Sequence, residues 1–335
     1  MYETGKQSLW RRLSALCAAA LLAVSLCVQG AWAQGQTVIP SGQAVGIKLF
    51  ADGVLVVDVS ADSPAQQSGI QEGDLLLTVN GEKLQSTEHL QELLQENGAN
   101  PVEITLKRDG KEETVHCTPT ADADGTIRLG AWIRDSMAGI GTMTYYDPAS
   151  GSFGALGHGI TDSDTEQLMS LGSGSIMETT VKAVKKGERG DPGELKGDFS
   201  VQKDVGIVTV NSDGGIFGTV SDSSFLSSAE AVEVASAQEV QTGAAVIRTT
   251  VSGDEIREYQ VEIVKINRED DTTRNLLLRV TDEALLETTG GIVQGMSGSP
   301  ILQNGKLVGA VTHVMVNDPS RGYGILAENM MSRGG

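Results

Sequence analysis

The stretch Gly290–Val314, GGIVQGMSGSPILQNGKLVGAVTHV, decides how the second half of this chain folds. Gly295 and Gly298 flank Ser297, and Pro300 follows closely. Because glycine adopts backbone angles that other residues resist, the chain can bend tightly here and present the Ser297 hydroxyl. The same bend leaves the N–H groups of Gly295 and Ser297 free to point together, as an oxyanion hole requires. The residues that follow predict a hairpin with an Asn-Gly turn, which supports the bend with sheet.

The alternative interpretation of this segment is a plain Gly/Ser loop between two strands. A second hydroxyl, Ser299, lies in the same bend. We favour Ser297 as the reactive group because the glycines centre on it.

A serine hydroxyl is a weak nucleophile and needs a base within hydrogen-bond reach. His158, in FGALGHGITD, lies between glycines at the end of an apolar run, where an imidazole can stay accessible. Taken alone, a histidine in such a place is more often structural. His116 and His313 are poorer candidates, since the first lies in a hairpin of the other half and the second follows the Ser297 bend.

From about residue 127 onward the sequence consists of short β-rich runs separated by turns, which predicts a β-barrel or a β-sandwich, with two barrels side by side as the arrangement we favour. Residues 184–200 are polar and rich in glycine, so we expect a long loop there. The sequence contains no phosphate-binding loop or dinucleotide fingerprint, and we predict no cofactor. The four histidines lie at positions 89, 116, 158 and 313, so any multi-histidine metal site would have to be assembled from distant segments.

The first half has a compact pattern between about residues 41 and 120. Gly53–Ser60 is β-rich, Ser63–Asp74 predicts a short helix and a turn, and Leu75–Gly81 predicts a strand that ends in an Asn-Gly turn. Ser86 is a plausible N-cap for a helix over TEHLQELLQEN that stops at Gly98. A hairpin with an Asp109-Gly110 turn follows.

The N-terminal residues 1–33 combine Arg11 and Arg12, an apolar run of about 16 residues and an Ala-Trp-Ala cleavage pattern. They predict export by a signal peptide or retention by a membrane anchor. Two of the three cysteines lie in this segment, so a processed chain would keep only Cys117, which we interpret as a buried core residue without a chemical role. The net charge of −19 argues against a general nucleic-acid binder.

The segments SPAQQSGIQEGDLLLTVNG and GIKLF resemble PDZ domains of the bacterial protease-associated kind. The resemblance implies a PDZ domain over residues 38–120 that adds a peptide to an open sheet edge. It places the carboxylate-binding loop at Gly46 and Ile47, and the pairing edge at Lys48, Leu49 and Phe50. His89, early in the groove helix, could touch the peptide but is more simply an exposed structural histidine.

The Ser297 bend, its hairpin and the apolar strand after it are similar to the nucleophile region of chymotrypsin-like serine proteases. The resemblance implies a double β-barrel peptidase domain over residues 127–335. It also implies that Ala310–Val314 pairs with the substrate backbone, so that Thr312 and His313 border the specificity pocket.

From about residue 38 to about 328 the chain resembles the stage IV sporulation protein B family. The segments that carry this resemblance include RDSMAGIGTMTYYDP, TDEALLETTGGIVQGMSGSPI and THVMVNDPSRGYGI. By this resemblance the catalytic residues are His158, Asp282 and Ser297, with Asp282 fixing the histidine tautomer. Asp162 and Asp164, close to His158 in the sequence, remain alternatives as supporting carboxylates or as loop residues.

The resemblance implies an exported serine endopeptidase of sporulation signalling that acts between the membranes of mother cell and forespore. Its expected substrate is the regulatory subunit of an intramembrane metalloprotease, whose release activates a late sigma factor, and it is expected to cleave itself near its N-terminus. Two alternatives are a general quality-control protease with a PDZ domain and an inactive PDZ scaffold.

Overall fold

The computed structural model describes residues 35–226, 229–268 and 272–334, except for the side chains of 199–202. The predicted signal peptide or anchor, residues 1–33, lies outside the described residues. Within the described ranges, no helix is long and apolar enough to cross a membrane.

The described residues contain twenty strands, four α-helices and one 3-10 turn at Ser223–Phe225. The strands are β1 (Thr37–Pro40), β2 (Ala44–Val59), β3 (Leu75–Val79), β4 (Glu82–Lys83), β5 (Val102–Arg108), β6 (Lys111–Cys117), β7 (Thr120–Ala121), β8 (Ile127–Arg128), β9 (Ala131–Asp147), β10 (Ser152–Ala155), β11 (Leu171–Lys185), β12 (Glu194–Ser212), β13 (Gly215–Val220), β14 (Val232–Glu233), β15 (Gly243–Thr250), β16 (Ile256–Ile266), β17 (Leu276–Val280), β18 (Pro300–Gln303), β19 (Lys306–Val314) and β20 (Arg321–Leu326). The helices are α1 (Pro64–Gln67), α2 (Thr87–Asn97), α3 (Glu283–Thr289) and α4 (Ala327–Met331).

Two rings of six antiparallel strands form the body of the molecule. The first barrel runs β2-β9-β10-β13-β12-β11 and closes because β9 also pairs with β2. The second runs β15-β16-β17-β20-β19-β18 and closes through β15 and β18. Each ring encloses its own apolar cluster, around Phe153 in the first barrel and around Leu278 in the second. The predicted double-barrel fold is confirmed.

The predicted long loop over residues 184–200 is wrong. β11 continues to Lys185 and β12 begins at Glu194, and these two strands pair directly, with Lys185 opposite Glu194. The polar, glycine-rich composition reflects an exposed hairpin end, because strand pairing outside a core needs no apolar side chains.

A separate apolar cluster, formed only by residues between Val54 and Ile133, defines the PDZ domain. It includes Leu90 and Leu94 of α2 together with Ile127 and Leu129, which follow the predicted boundary at residue 120. Residues 38–51, which were assigned to this domain, lie instead with the first barrel: β1 pairs with β9, and the first half of β2 is a strand of the ring. The PDZ domain is therefore inserted into the peptidase domain, between β2 and the other five strands of its first barrel.

Local elements of the PDZ domain agree with the sequence. Ser86 caps α2 by accepting a hydrogen bond from the His89 N–H, and Gly98 ends the helix. The Asp109-Gly110 pair has positive φ at both residues, as the hairpin turn requires. Cys117 is a buried free thiol, and its burial raises its pKa.

The predicted peptide-binding edge at Gly46, Ile47, Lys48 and Leu49 is wrong. These residues pair with β9 on one side, where Gly46 faces Ile140, and with β11 on the other, where Gly46 faces Met177. Since both edges of this strand already pair within the barrel, no backbone groups remain there to accept an added peptide strand. The GIKLF segment is a barrel strand that enters the PDZ domain only after residue 53.

Candidate active site

The bend that carries Ser297 depends on Gly298. This glycine has φ +96°, and a Cβ at this position would lie 1.9 Å from the Thr142 carbonyl oxygen and 2.5 Å from the Leu156 nitrogen. Because these contacts are to backbone atoms, a side chain could be accommodated only by moving the first barrel. The glycine therefore lets the bend of the second barrel press directly against the first.

The Ser297 hydroxyl is half-buried and points at the neighbouring strand. Its Oγ donates a hydrogen bond of 2.7 Å to the carbonyl oxygen of Thr312 on β19. The second serine of the bend, Ser299, is fully buried, and its Oγ donates to the Met296 carbonyl at 2.6 Å. Ser297 therefore has access to a substrate, and Ser299 does not.

The first barrel contributes His158, directly after β10. The Nδ1 atom of His158 lies 2.8 Å from the Gly159 carbonyl oxygen. A carbonyl can only accept, so Nδ1 carries the proton and Nε2 keeps its lone pair. Burial lowers the pKa of His158, so the imidazole is neutral at neutral pH. This is the tautomer and charge that a general base for Ser297 requires.

His313, on β19, lies against His158. The two ring centroids are 5.1 Å apart with an interplanar angle of 36°. The Nδ1 atom of His313 is buried and has no hydrogen-bond partner among the described residues. Burial, His158 and Arg274 together lower the pKa of His313 to about 4.

Thr142 of β9 connects the two barrels at the Ser297 bend. Its N–H donates to the Ser297 carbonyl at 2.9 Å, and its hydroxyl donates to the Gly295 carbonyl at 2.8 Å. No hydrogen bond among the described residues uses the N–H of Gly295 or of Ser297. Both predicted oxyanion donors are thus available. Thr142 was not singled out from the sequence, because its role depends on a contact across more than 150 positions.

A cleft of about 410 Å³ lies between the barrels and contains His158, His313 and Ser297. Its walls are mostly apolar, and among the described residues no Asp, Glu, Lys or Arg lines it. The apolar walls are formed mainly by Ile47, Met137, Ile140, Leu156, Ile292 and Val314. Ile47, expected in the PDZ groove, thus lies in the wall of this cleft.

Asp282 does not contact His158. Its Oδ1 accepts from the Leu285 N–H at 3.1 Å, which caps α3, and its Oδ2 accepts from the Gln260 N–H at 3.2 Å. With both carboxylate oxygens engaged on backbone groups, Asp282 serves as a helix cap in this structure. The group that faces the His158 Nδ1 atom is the Gly159 carbonyl.

The two alternative carboxylates pair with an arginine instead of His158. Asp162, whose side chain is fully buried, forms an ion pair with Arg134 of β9, and Asp164 pairs with the same guanidinium at 2.9 Å. Asp162 also accepts from the N–H groups of Asp164 and Thr165. These contacts fix the loop after His158 to β9, the strand that leads from the PDZ domain back to the first barrel.

The PDZ helix α2 lies beside a different strand from the one predicted. Thr87 donates its N–H to Asp135 at 2.7 Å, and the Gln91 side chain donates to the Ile127 carbonyl at 2.9 Å. One edge of Ala131–Arg134 pairs with β2, and within the described residues no strand pairs with its other edge. The open edge next to α2 is therefore the start of β9.

An accessible serine hydroxyl and a neutral histidine, presented by two antiparallel barrels across one cleft, are the arrangement expected of serine peptidases with a double-barrel fold. Comparison with known families agrees. Residues 125–331 match the family described as SpoIVB peptidase S55, and residues 55–108 match a PDZ domain. Since the first match covers more than half of the chain, the chain belongs to the SpoIVB peptidase family.

Individual relatives match shorter parts. A putative zinc metalloprotease of Mesorhizobium japonicum is 40% identical over 65 residues, which are 19% of this chain and 18% of the relative. The regulator of sigma-W protease RasP of Bacillus subtilis is 27% identical over 126 residues, 36% of this chain and 27% of RasP. The chain thus spans less than a third of the length of these relatives.

Among solved structures, the PDZ domain of the SdrC-like protein from Listeria monocytogenes is similar at 28% identity and a TM-score of 0.23, covering 24% of this chain and 87% of that domain. The active form of the Rv3671c protease from M. tuberculosis is similar at 16% identity and a TM-score of 0.32, covering 59% of this chain and 73% of that structure.

Proposed function

We propose that the chain is an exported serine endopeptidase of sporulation signalling in which Ser297 is the nucleophile and His158 the general base. One observation carries the catalytic part of this proposal: His158 and Ser297 come from different barrels and meet in one cleft, at the end of β19. The proposed cellular role is supported by membership of the SpoIVB peptidase family.

In the resting geometry the Ser297 hydroxyl donates its hydrogen bond to the Thr312 carbonyl oxygen and not to His158. A substrate that pairs with Thr312 and His313 as an added strand brings its own N–H to the Thr312 carbonyl. The substrate then competes for this acceptor, and the Ser297 hydroxyl is released to turn toward the Nε2 lone pair of His158. Substrate binding would thereby bring the nucleophile and the base together.

Ser297 Oγ then attacks the substrate carbonyl carbon as its proton passes to His158 Nε2. The N–H groups of Gly295 and Ser297 hold the negative carbonyl oxygen. The Gly159 carbonyl accepts from the Nδ1–H of the resulting imidazolium. His158 next gives its proton to the leaving amine, the C–N bond breaks, and an acyl-enzyme remains. Water, deprotonated by His158, hydrolyses the acyl-enzyme and restores Ser297.

The cleft indicates which side chains the enzyme accepts. The described residues that line it are mostly apolar and include no charged side chain, so they would not compensate the desolvation of a charged substrate residue. We therefore propose cleavage next to apolar residues. The proposed substrate is the ectodomain of a membrane protein, the regulatory subunit of an intramembrane metalloprotease, together with the chain's own N-terminal region. The proposed location is the space between mother cell and forespore.

The PDZ ligand, in this proposal, adds to the open edge of Ala131–Arg134 beside α2. The same strand, β9, continues to Thr142, which holds the Ser297 bend. A peptide bound at the start of β9 would thus contact the strand that supports the oxyanion donors.

The test is fluorophosphonate labelling and self-cleavage of the complete chain, beside Ser297→Ala and His158→Ala, with His116→Ala as the matched control. The control histidine is exposed on the PDZ domain. We expect the parent and His116→Ala to take the label at Ser297 and cut themselves, and the other two to lose both reactions. Labelling of folded Ser297→Ala at the parent's rate would refute the nucleophile. Rapid, unselective hydrolysis of casein would favour a quality-control protease over the signalling role.

A further inference from the structure

The structure brings together two histidines that are 155 positions apart in the sequence. His158 follows β10 of the first barrel and His313 lies on β19 of the second, and both line the cleft. Among the described residues, no group of three or more His, Cys, Asp and Glu side chains is spaced to hold a metal ion. Within the described residues, a metal site in the cleft would therefore rest on this pair, with water as the remaining ligand.

The spacing of the pair fits one ion. In a tetrahedral zinc site the metal–nitrogen distance is about 2.0–2.1 Å, which places the centroids of two imidazole ligands about 5 Å apart. The observed separation of the His158 and His313 centroids is 5.1 Å. This separation is compatible with one nitrogen of each ring binding a shared ion.

Each ring also has a nitrogen lone pair to offer. His158 holds its Nδ1 proton against Gly159, so its Nε2 atom is the free donor. The Nδ1 atom of His313 is buried without a hydrogen-bond partner in the described part of the chain, an arrangement that costs free energy unless a ligand satisfies it. Both rings have lowered pKa values and are neutral at neutral pH, as metal ligands must be.

The chemistry of the donors selects the class of ion. Imidazole nitrogens suit Zn²⁺, Cu²⁺ and Ni²⁺, whereas Mg²⁺ and Ca²⁺ prefer oxygen ligands. The guanidinium of Arg274 lies close enough to depress the pKa of His313 and opposes any cation at the same place. Two ligands and one opposing charge predict a site of moderate affinity that is occupied reversibly.

We propose that His158 and His313 form an inhibitory two-histidine site for a transition-metal dication of the zinc class. The bound ion takes the Nε2 lone pair of His158, so that atom can no longer accept the Ser297 proton. The inhibitory consequence rests on the proposed function, but binding of the ion does not.

Binding is tested by calorimetric titration of ZnCl₂ into the complete chain that carries Ser297→Ala, which prevents self-cleavage. We expect one equivalent of Zn²⁺ to bind with moderate affinity. His158→Gln and His313→Gln should each weaken it at least about tenfold, as expected for the loss of a metal-orienting group. His116→Gln should leave it unchanged, and Arg274→Gln should strengthen it. His313→Phe, which keeps a ring in the cleft, must behave like His313→Gln.

Undiminished Zn²⁺ affinity in both folded His313 variants would refute the site, and so would displacement of Zn²⁺ by excess Mg²⁺, which indicates carboxylate ligands.

Inhibition is tested separately by fluorophosphonate labelling of the active chain. We expect Zn²⁺ to slow labelling at least about tenfold in the parent, EDTA to restore it, and His313→Gln to be insensitive to Zn²⁺. Equal inhibition of parent and His313→Gln would overturn the proposal. A parent chain that never takes the label contradicts the proposed function alone, and the calorimetric comparison still decides the metal site.

Discussion

The tautomer of His158 is set by a peptide carbonyl and not by a carboxylate. A carbonyl dipole holds the Nδ1 proton in the same position, but it stabilises the imidazolium less than a full negative charge would. Burial acts in the same direction, because it disfavours the charged ring and lowers its pKa. At the scale of single residues, the site thus favours a neutral base that is ready to accept a proton.

The lowered pKa of His158 predicts how the labelling rate depends on pH. The base works only when neutral, and its pKa lies below the ordinary value of 6.5. We therefore expect the acid limb of the fluorophosphonate labelling rate to have its midpoint below pH 6.5. A midpoint at or above 6.5 would contradict the assignment of His158 as the buried base.

The free energy of unfolding has to be measured over the same pH range, because it depends on the protonation of His313. Its pKa falls from 6.5 in the unfolded chain to about 4 in the folded one. At pH values between these two pKa values, His313 binds a proton in the unfolded chain but not in the folded one. The free energy of unfolding therefore decreases as the pH is lowered through this window. Labelling rates should therefore be compared only at pH values at which the protein is still folded.

Substitution of Asp282 separates a helix cap from a catalytic carboxylate. Asp282→Asn keeps an N-cap acceptor but removes the charge, and we expect labelling within about tenfold of the parent and little loss of stability. Asp282→Ala loses the cap and should cost about 1 kcal/mol of unfolding free energy. A loss of about 10⁴-fold in Asp282→Asn, with stability intact, would show that the carboxylate moves to His158 during catalysis.

At the scale of elements, β2 has two roles along its length. Its first half lies in the first barrel between β9 and β11, and its second half enters the PDZ domain, where Leu55 pairs with Leu75 of β3. β9 runs antiparallel to it through both domains, from Ala131 to Asp147. Two long strands therefore join the PDZ domain to the peptidase in place of a flexible linker.

Proline at position 48 tests the location of Lys48. Proline lacks the N–H and cannot lie in the middle of a sheet, so Lys48→Pro should open the first barrel and abolish folding or labelling. Lys48→Thr, which keeps the backbone donor, should leave both nearly unchanged. If Lys48 formed a free PDZ edge, Lys48→Pro would instead weaken peptide binding and spare the labelling of Ser297.

At the scale of the whole molecule, the PDZ domain is an insertion whose two ends are adjacent. Phe50 and Ser136 are paired Cα partners on β2 and β9, and the PDZ cluster uses only residues between Val54 and Ile133. Each domain thus has its own apolar core, and the connection between them passes through one pair of strands.

Excision of the PDZ domain should leave a folded peptidase. Replacing residues 51–133 with Asn-Gly joins the paired strands by a four-residue turn and keeps Arg134 for Asp162. We expect cooperative thermal unfolding and labelling at Ser297, with the same excision in Ser297→Ala as the unlabelled control. An insoluble or unfolded product would show that the barrel depends on the PDZ domain.

Features determined by the sequence alone are those that depend on a few neighbouring residues. The glycines around Ser297 permit the bend, Ser86 caps α2, and Asp109-Gly110 forms its turn, because each depends on local backbone angles and nearby hydrogen bonds. The short β-rich runs separated by turns predicted a β-structured second half, because strand-forming residues and turn residues are local signals.

Only the tertiary structure decided which strands pair and which distant residues meet. The GIKLF sequence is equally compatible with a PDZ edge strand and with a barrel strand. In the structure it pairs with β9 and β11 and is therefore a barrel strand. The barrels close by pairing segments that are far apart in the chain. This pairing places Asp282 at the N-terminus of a helix and His313 against His158. Backbone hydrogen bonds between strands are alike for every sequence, so local sequence carries little information about the partner.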